Sequence, residues 1–416
     1  MLVCTALVLL MTPAAAFFYG GLVRAKNALN TMMMCVGAIG VVGVTWALAG
    51  YSLAFGGDGP LIGGTRYFFL RGVGLEAHGT IPHLLFMAYQ ATFAVVTAVL
   101  IAGAVVERMR FGAYLVFVAL WTLVVYAPVA HWVWGGGWLA TRGVLDFAGG
   151  TVVHINAGVT AAVAAFVVGR RKDFGRQAVL PHNVPFVLLG TGLLYFGWFG
   201  FNGGSALAAN GIAVLAFTTT LLAPMSALVV WMALDGIRTQ RATAVGAATA
   251  LVIGLVAITP AAGFVSPLSA LVIGAIGAVP SYFAILWRSR TRLDDSLDVL
   301  AGHGVGGIAG ALLTGIFAEK AWGGTDGLLF GAPGQLGLQL LGVLVTIVYS
   351  ALASWLLLKL IGLVMPLCAR ERMQGIGMDI TQHGEEAYTH GEGAVLVMMD
   401  STAVRTPARA ATGGIR

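Results

Sequence analysis

The chain has 416 residues, of which 58% are hydrophobic and only 10% charged, and its mean hydropathy is +0.90. A soluble domain carries about 25% charged residues, so too little charge is present to cover a water-exposed surface, and soluble, disordered and fibrous classes are excluded. The net charge of +6 would suggest nucleic acid in a soluble domain, but in so apolar a chain it reads as loop charge that orients membrane helices, with no nucleic-acid partner.

A membrane span needs about 20 predominantly apolar residues. In chain order such runs fall at approximately 1–22, 28–55, 82–106, 112–132, 149–169, 184–208, 211–235, 242–260, 264–287, 299–318 and 335–364. The expected fold is an all-α integral membrane protein of about eleven transmembrane helices. The runs are long and do not alternate, which argues against a transmembrane β-barrel. No linker divides them, so residues 1–364 are expected to form one helical domain. The longest polar insert before the tail runs from Gly56 to Thr80. Residues 365–416 are expected to form a cytoplasmic tail whose Pro/Ala/Gly/Thr-rich remainder is disordered. Glycine counts 59, about twice its usual share of roughly 7%, as expected for closely packed transmembrane helices.

The opening run MLVCTALVLLMTPAAA resembles the apolar region of a signal peptide. It lacks a positive leader and continues into FFYGG with basic residues behind it, so it reads as the first span. Cys4, Cys35 and Cys368 are scattered, without disulfide framework or metal spacing. No metal or other cofactor is expected.

Loops on one side carry fifteen Lys and Arg, from Arg24 and Lys26 through Arg108, Arg171 and Arg288 to Arg372; loops on the other carry four, Arg66, Arg71, Arg142 and Lys320. The bias alternates loop after loop. It places the N-terminus outside and the C-terminus in the cytoplasm of a multi-pass inner (plasma) membrane protein. Spans 1–5 and 6–10 fit two inverted five-helix repeats followed by a final helix. Span 5 carries Asp146 and His154, and span 10 carries Asp298 and His303 at the matching place. Pseudo-symmetric halves with a site at their interface are a common transporter plan.

Ionisable groups inside spans are costly and therefore candidates for function. A lone histidine there is usually a structural hydrogen-bonding group. His154 in GGTVVHINAG and His303 in LAGHGVGG sit at equivalent places, and two imidazoles facing one channel can pass a proton between them. Asp146 reads either as the N-cap of span 5 or as a negative charge that favours a cation near the outer mouth. Asp298 reads as a cap or ion-pair partner. Trp134 in HWVWGGG offers an indole face able to hold a small cation. Tyr89, Phe93 and Phe201 read, one by one, as core aromatics. Ser205 in FNGGSA either accepts from a cation or bonds back to its own helix. No nucleophile–base constellation or cofactor loop is present, so an enzyme is not expected.

Several motifs carry a resemblance: FFYGGLVRAKN (17–27), VERMRF (106–111), HWVWGGGWLA (131–140), LDFAGGTVVHINAG (145–158), GWFGFNGGSA (197–206), TPAAGFV (259–265) and DVLAGHGVGGIAGALLTGIFA (298–318). Together they resemble the ammonium transporter, methylamine permease and Rhesus family, in its bacterial ammonium transporter branch. The likeness covers nearly the whole chain and extends to GMDITQHGEEAY (377–388) in the tail. It implies eleven helices in two inverted halves and one pore per subunit of a homotrimer. It implies an outer ammonium site at Trp134 and Ser205, a phenylalanine gate at Phe93 and Phe201, an acidic residue at Asp146 and twin pore histidines at His154 and His303. Tyr89 departs from the family, which commonly has Phe beside the outer site. Trp134 with both histidines argues against the Rhesus branch. The tail motif, with Gly377, Asp379, His383, Gly384, Glu385 and Tyr388, resembles the segment that contacts neighbouring subunits and receives a PII signal-transduction protein.

The resulting expectation is recruitment of ammonium, and of methylammonium beside it, by cation–π attraction, followed by deprotonation and passage of ammonia, with the proton following along the histidines. Electroneutral gas conduction and an ammonium sensor signalling through its tail are the alternatives. A sensor need not keep the pore histidines. A neutral-solute channel would leave Trp134 and the histidine pair without purpose.

Overall fold

The computed structural model describes residues 1–176 and 179–388. Its long helices are α1 (Leu2–Leu22), α2 (Ala25–Phe55), α3 (His83–Val105), α4 (Phe111–Thr141), α5 (Gly150–Val168), α6 (Val184–Gly204), α7 (Gly211–Thr239), α8 (Ala244–Ile258), α9 (Pro267–Arg288), α10 (Leu300–Phe317) and α11 (Gly334–Val364). Ten of these are long and apolar enough to cross a membrane; α8, with 15 residues, is shorter. At 1.5 Å per residue α8 reaches about 22 Å, below the roughly 30 Å of a hydrocarbon core. The run at 242–260 overstates it at both ends. Thr243 caps its first turn, accepting from Gly246 N at 3.0 Å, and the chain leaves the helix at Thr259–Pro260.

Helices from the first and second parts of the chain pack closely against each other. α1 packs along α6, and α5 crosses α10. Small residues permit both approaches. A Cβ on Gly190 of α6 would run into the backbone of Phe18 and Ala14, and one on Gly158 of α5 would run into the backbone of Gly304 in α10. The matching His-bearing segments share a second feature. Gly150–Ile155 and Leu300–Val305 are both widened π-helical turns, and each opens its helix. Such turns are rare and concentrate at functional sites. α11 packs against α5, α10 and α4. The polar insert ends in a two-stranded hairpin, β1 (Ala77–His78) with β2 (Ile81–Pro82).

One face of the bundle carries the basic loops and a buried ionic network. Glu107 lies between Arg24 and Arg171 at 3.0 and 2.8 Å, and Arg171 reaches Asp294 at 2.7 Å. Arg108 beneath them donates to Ser296 Oγ at 2.6 Å and to Ala104 O at 2.9 Å.

The tail docks on the same face as α12 (Glu371–Ile376) and α13 (Met378–His383). Residues 365–376, expected to be disordered, are instead held in place. Their backbone pairs with the 108–110 turn, where Ala369 N donates to Arg108 O at 2.8 Å and Arg110 N to Leu367 O at 2.9 Å. Asn27 joins tail to network, donating to Glu107 at 2.9 Å and accepting from Met378 N at 2.8 Å. The Asp379 carboxylate accepts from Leu29 N and Asn30 N at 3.1 and 2.7 Å, capping the first turns of α2. His383 Nε2 lies 3.0 Å from Asn30 Oδ1, and the Tyr388 hydroxyl 2.9 Å from His182 Nε2. Gly377 (φ 132°) separates the two short helices and Gly384 (φ 71°) ends the second, both in the left-handed region that glycine tolerates. Glu385 is exposed. Residues 389–416, expected to be disordered, lie outside the described residues.

Candidate functional site

Three helices bring the singled-out aromatics together on the face opposite the tail. Tyr89 and Phe93 lie one turn apart on α3, Phe201 and Ser205 one turn apart at the end of α6, and Trp134 where α4 breaks at Gly135–Gly137. The Phe93 and Phe201 rings stack with centroids 4.2 Å apart, and both residues are 1% exposed. Trp134 meets Phe93 edge-on at 5.8 Å, and Tyr89 meets it at 4.9 Å. Ser205 is half-buried, with its hydroxyl donating to Phe201 O at 2.8 Å.

The Trp134 indole is aimed by the chain before α5. Its Nε1 donates to the backbone carbonyl of Asp146 at 2.9 Å. The Asp146 carboxylate itself accepts from four successive amides, Gly149, Gly150, Thr151 and Val152, at 2.8, 2.7, 2.8 and 3.1 Å. Capping is thus the work its carboxylate does in this structure, and through its carbonyl Asp146 also seats the tryptophan. An amide side chain offers one acceptor oxygen where the carboxylate offers two. Asp146→Asn should therefore leave part of the amide row unpaired and cost about 1–2 kcal/mol. A lower unfolding temperature in detergent checks this, and an unshifted melting curve would contradict it.

Asp298 does not repeat this role. Its carboxylate takes the Arg288 guanidinium at 2.6 and 3.0 Å, which is the ion-pair reading. The capping counterpart in the second half is Asp295, whose Oδ2 accepts from Leu300 N at 2.7 Å. The spacing agrees: His154 follows Asp146 by eight residues (154 − 146), and His303 follows Asp295 by eight (303 − 295). Asp295 and Asp298 both lie just ahead of the same helix, so the place of Asp298 in the sequence resembles that of Asp146 although its role does not.

Below the stacked rings come the histidines. The His154 ring lies 6.1 Å from Phe201 and 5.3 Å from His303, nearly parallel to both. Its Nδ1 is 3.2 Å from His303 Nδ1. A contact between two like nitrogens requires one to donate and the other to accept, so the pair is polarised in one direction or the other. His154 Nε2 is buried without a partner among the described residues. The space around the pair is an enclosed cavity of about 20 Å³, otherwise lined by apolar and aromatic groups such as Leu194, Val153 and Phe201. His303 also lines a vestibule of about 340 Å³ with Arg171, Arg288 and Asp298, on the basic face. Phe18, Tyr19, Val252 and His303 border both compartments, and His303 is the imidazole among them.

Trp198 was not singled out from the sequence. It stacks on His154 at 5.5 Å and is fixed by donating from Nε1 to Thr259 Oγ1 at 2.9 Å. Its signal was available: Trp198 and Phe201, three residues apart in GWFGFNGG, must share a helix face. Among the described residues no group of three or more His, Cys, Asp or Glu is placed to hold a metal ion.

The sequence matches the Ammonium Transporter Family over residues 1–388. The chain belongs to the ammonium transporter family. It is 45% identical to an ammonium transporter of Bacillus subtilis over 394 residues, covering 93% of this chain and 97% of that one. Among solved structures it is similar to Candida albicans Mep2, with a TM-score of 0.85 and 36% identity over 92% of this chain and 88% of that one. It is also similar to a sensor Amt protein, with a TM-score of 0.86 and 31% identity over 92% and 96%. Membership accords with a multi-pass membrane protein built from long apolar helices.

Proposed function

We propose that this family member is an electrogenic ammonium transporter. One observation carries the reading: the Phe93–Phe201 stack closes directly onto the His154–His303 pair, inside a passage with about 20 Å³ of free space. An ion crossing so narrow and apolar a segment pays heavily for its lost hydration. Ammonium and potassium are similar in size, so a sieve cannot separate them. Ammonium alone can donate hydrogen bonds and shed a proton, and an apolar environment favours the neutral form. Trp134, Phe93 and Ser205 collect the cation on the outer face, with Tyr89 beside them and Asp146 holding the indole. Neutral ammonia passes the gate, and the proton follows along His154 and His303. Methylammonium, a smaller donor set on a similar cation, is a second substrate.

The same reading takes α8 as the eleventh crossing and puts the basic face in the cytoplasm, with residues 1–364 as the transport domain of a homotrimer in lipid of the inner (plasma) membrane. Current on a supported membrane tests it. Ammonium should give a saturable signal and potassium none. Ammonia-driven alkalinisation without charge movement would replace the electrogenic version with an electroneutral channel.

The sensor likeness favours a second reading, in which the outer site binds ammonium and the tail signals. The apposed pore histidines support transport, since binding at the outer face does not need them. For the tail we propose control of flux, with a PII signal-transduction protein received on the basic face. Deleting 377–388 removes Asp379 from the α2 cap and Met378 from Asn27, and should change flux or its response to added PII. Normal flux together with a normal PII response in that deletion would refute the regulatory role.

A further inference from the structure

We propose that Tyr89 is a positioning residue for cation recognition, acting through Ser205 and Phe201; this rests on the ammonium reading above and deepens it. The last carbonyls of a helix lack amide partners within it. At the end of α6 the amide of Ser205 turns to Asn202 O at 3.1 Å, which leaves Phe201 O to other donors. Two hydroxyls fill the place, Ser205 Oγ at 2.8 Å and Tyr89 Oη at 2.8 Å, and Tyr89 Oη also reaches Gly200 O at 3.0 Å. The two hydroxyl oxygens are 3.4 Å apart.

A hydroxyl has one proton and two acceptor lone pairs. With both protons drawn to the Phe201 carbonyl, both oxygens are left as acceptors. Ammonium, which only donates, finds the half-buried Ser205 oxygen already turned the right way. Tyr89 is 1% exposed, so Ser205 makes the contact and Tyr89 holds the helix end that carries it. The anchor has a built seat. A Cβ on Gly204 would come 2.6 Å from Tyr89 Oη, so glycine at 204 makes the room the phenol needs. The ring of the same side chain braces Phe93, tying both halves of the gate to one residue. Phenylalanine at 89 would keep the brace and lose the anchor.

The test is ammonium current on a supported membrane for four proteins: wild type, Tyr89→Phe, Ser205→Ala and the double variant. Tyr89→Phe should raise the half-saturating ammonium concentration about three- to tenfold, as expected for one lost hydrogen bond, while changing the maximal current much less. In the Ser205→Ala background the same substitution should add little, because its route to the cation is gone. An unshifted half-saturating concentration in Tyr89→Phe overturns the proposal while leaving ammonium transport standing. So does an equal shift in both backgrounds, or a fall in maximal current that tracks a lower unfolding temperature. A wild-type chain without any ammonium signal overturns both readings.

Discussion

Proteoliposomes carrying His154→Ala are expected to lose at least tenfold of their preference for ammonium over potassium, and His303→Ala should do the same. In the native chain the two imidazoles line the small cavity below the stacked Phe93 and Phe201 rings, Nδ1 to Nδ1 at 3.2 Å. Removing either ring leaves its partner with an unsatisfied buried nitrogen, worth about 1–3 kcal/mol, and opens room beside a polar group. Water enters such a space readily, and a hydrated passage carries potassium as easily as ammonium. Tenfold corresponds to about 1.4 kcal/mol, so the expected loss lies within that range. Paired ammonium and potassium currents on a supported membrane measure it. Unaltered flux and selectivity in both variants would remove the relay.

Glu107→Ala should be the most damaging single change on the basic face, at about 3 kcal/mol of stability, because it removes the buried counter-charge that Arg24 and Arg171 share and leaves each only its second carboxylate, Asp173 and Asp294. The fully buried carboxylate accepts from Arg24 N, Nε and Nη2, each at 3.0 Å, from Asn27 Nδ2 at 2.9 Å and from Arg171 Nη1 at 2.8 Å. Burial alone would raise its pKa. The Arg24 hydrogen bonds and the charges of Arg171 and Arg24 outweigh burial and hold the group at about 2. A folded-state value below the unfolded one, about 4.3, means that the stabilisation is complete above pH 4.3 and disappears as pH falls toward 2. The melting temperature of the wild type should therefore fall across that window, and Glu107→Gln should flatten the fall while lowering the plateau. A Glu107→Ala protein that melts with the wild type would refute the network's structural role. Because Asn27 bridges Glu107 to Met378, the variant should also loosen the tail, which limited proteolysis reports.

Much of the site was legible in the residue order. Histidine within a run of small apolar residues is expensive unless used, which picks out His154 and His303. Trp134 stood out only by context, in HWVWGGG shortly ahead of Asp146 and through the family resemblance. Asp146 was legible as a cap, since a carboxylate ahead of a glycine pair has amides to take. Its second half-partner was not. Asp295 and Asp298 lie three residues apart ahead of the same helix, and only the fold shows which meets Leu300 N and which meets Arg288. Trp198 stayed hidden because an aromatic in an apolar helix has no signature until its neighbour is known. The tail misled for a related reason. Its polar composition suggests solvation, yet its polar groups find partners in Asn27, Asn30 and the 108–110 turn, which lie more than 200 residues away in sequence.

The sequence by itself determined the solvent this protein lives in, the period and approximate bounds of its helices, and the costly residue types placed inside them. Those follow from the local cost of burying charge and backbone, which each segment incurs alone. Tertiary structure alone decided that Phe93 and Phe201 stack at 4.2 Å, that the two histidines face each other nitrogen to nitrogen, and that Tyr89 anchors Phe201. Each of these joins side chains from different helices across the two halves. Their distances depend on how closely the backbones approach at glycines such as Gly158 and Gly190. That approach is set by packing among all the helices together, and no single segment encodes it.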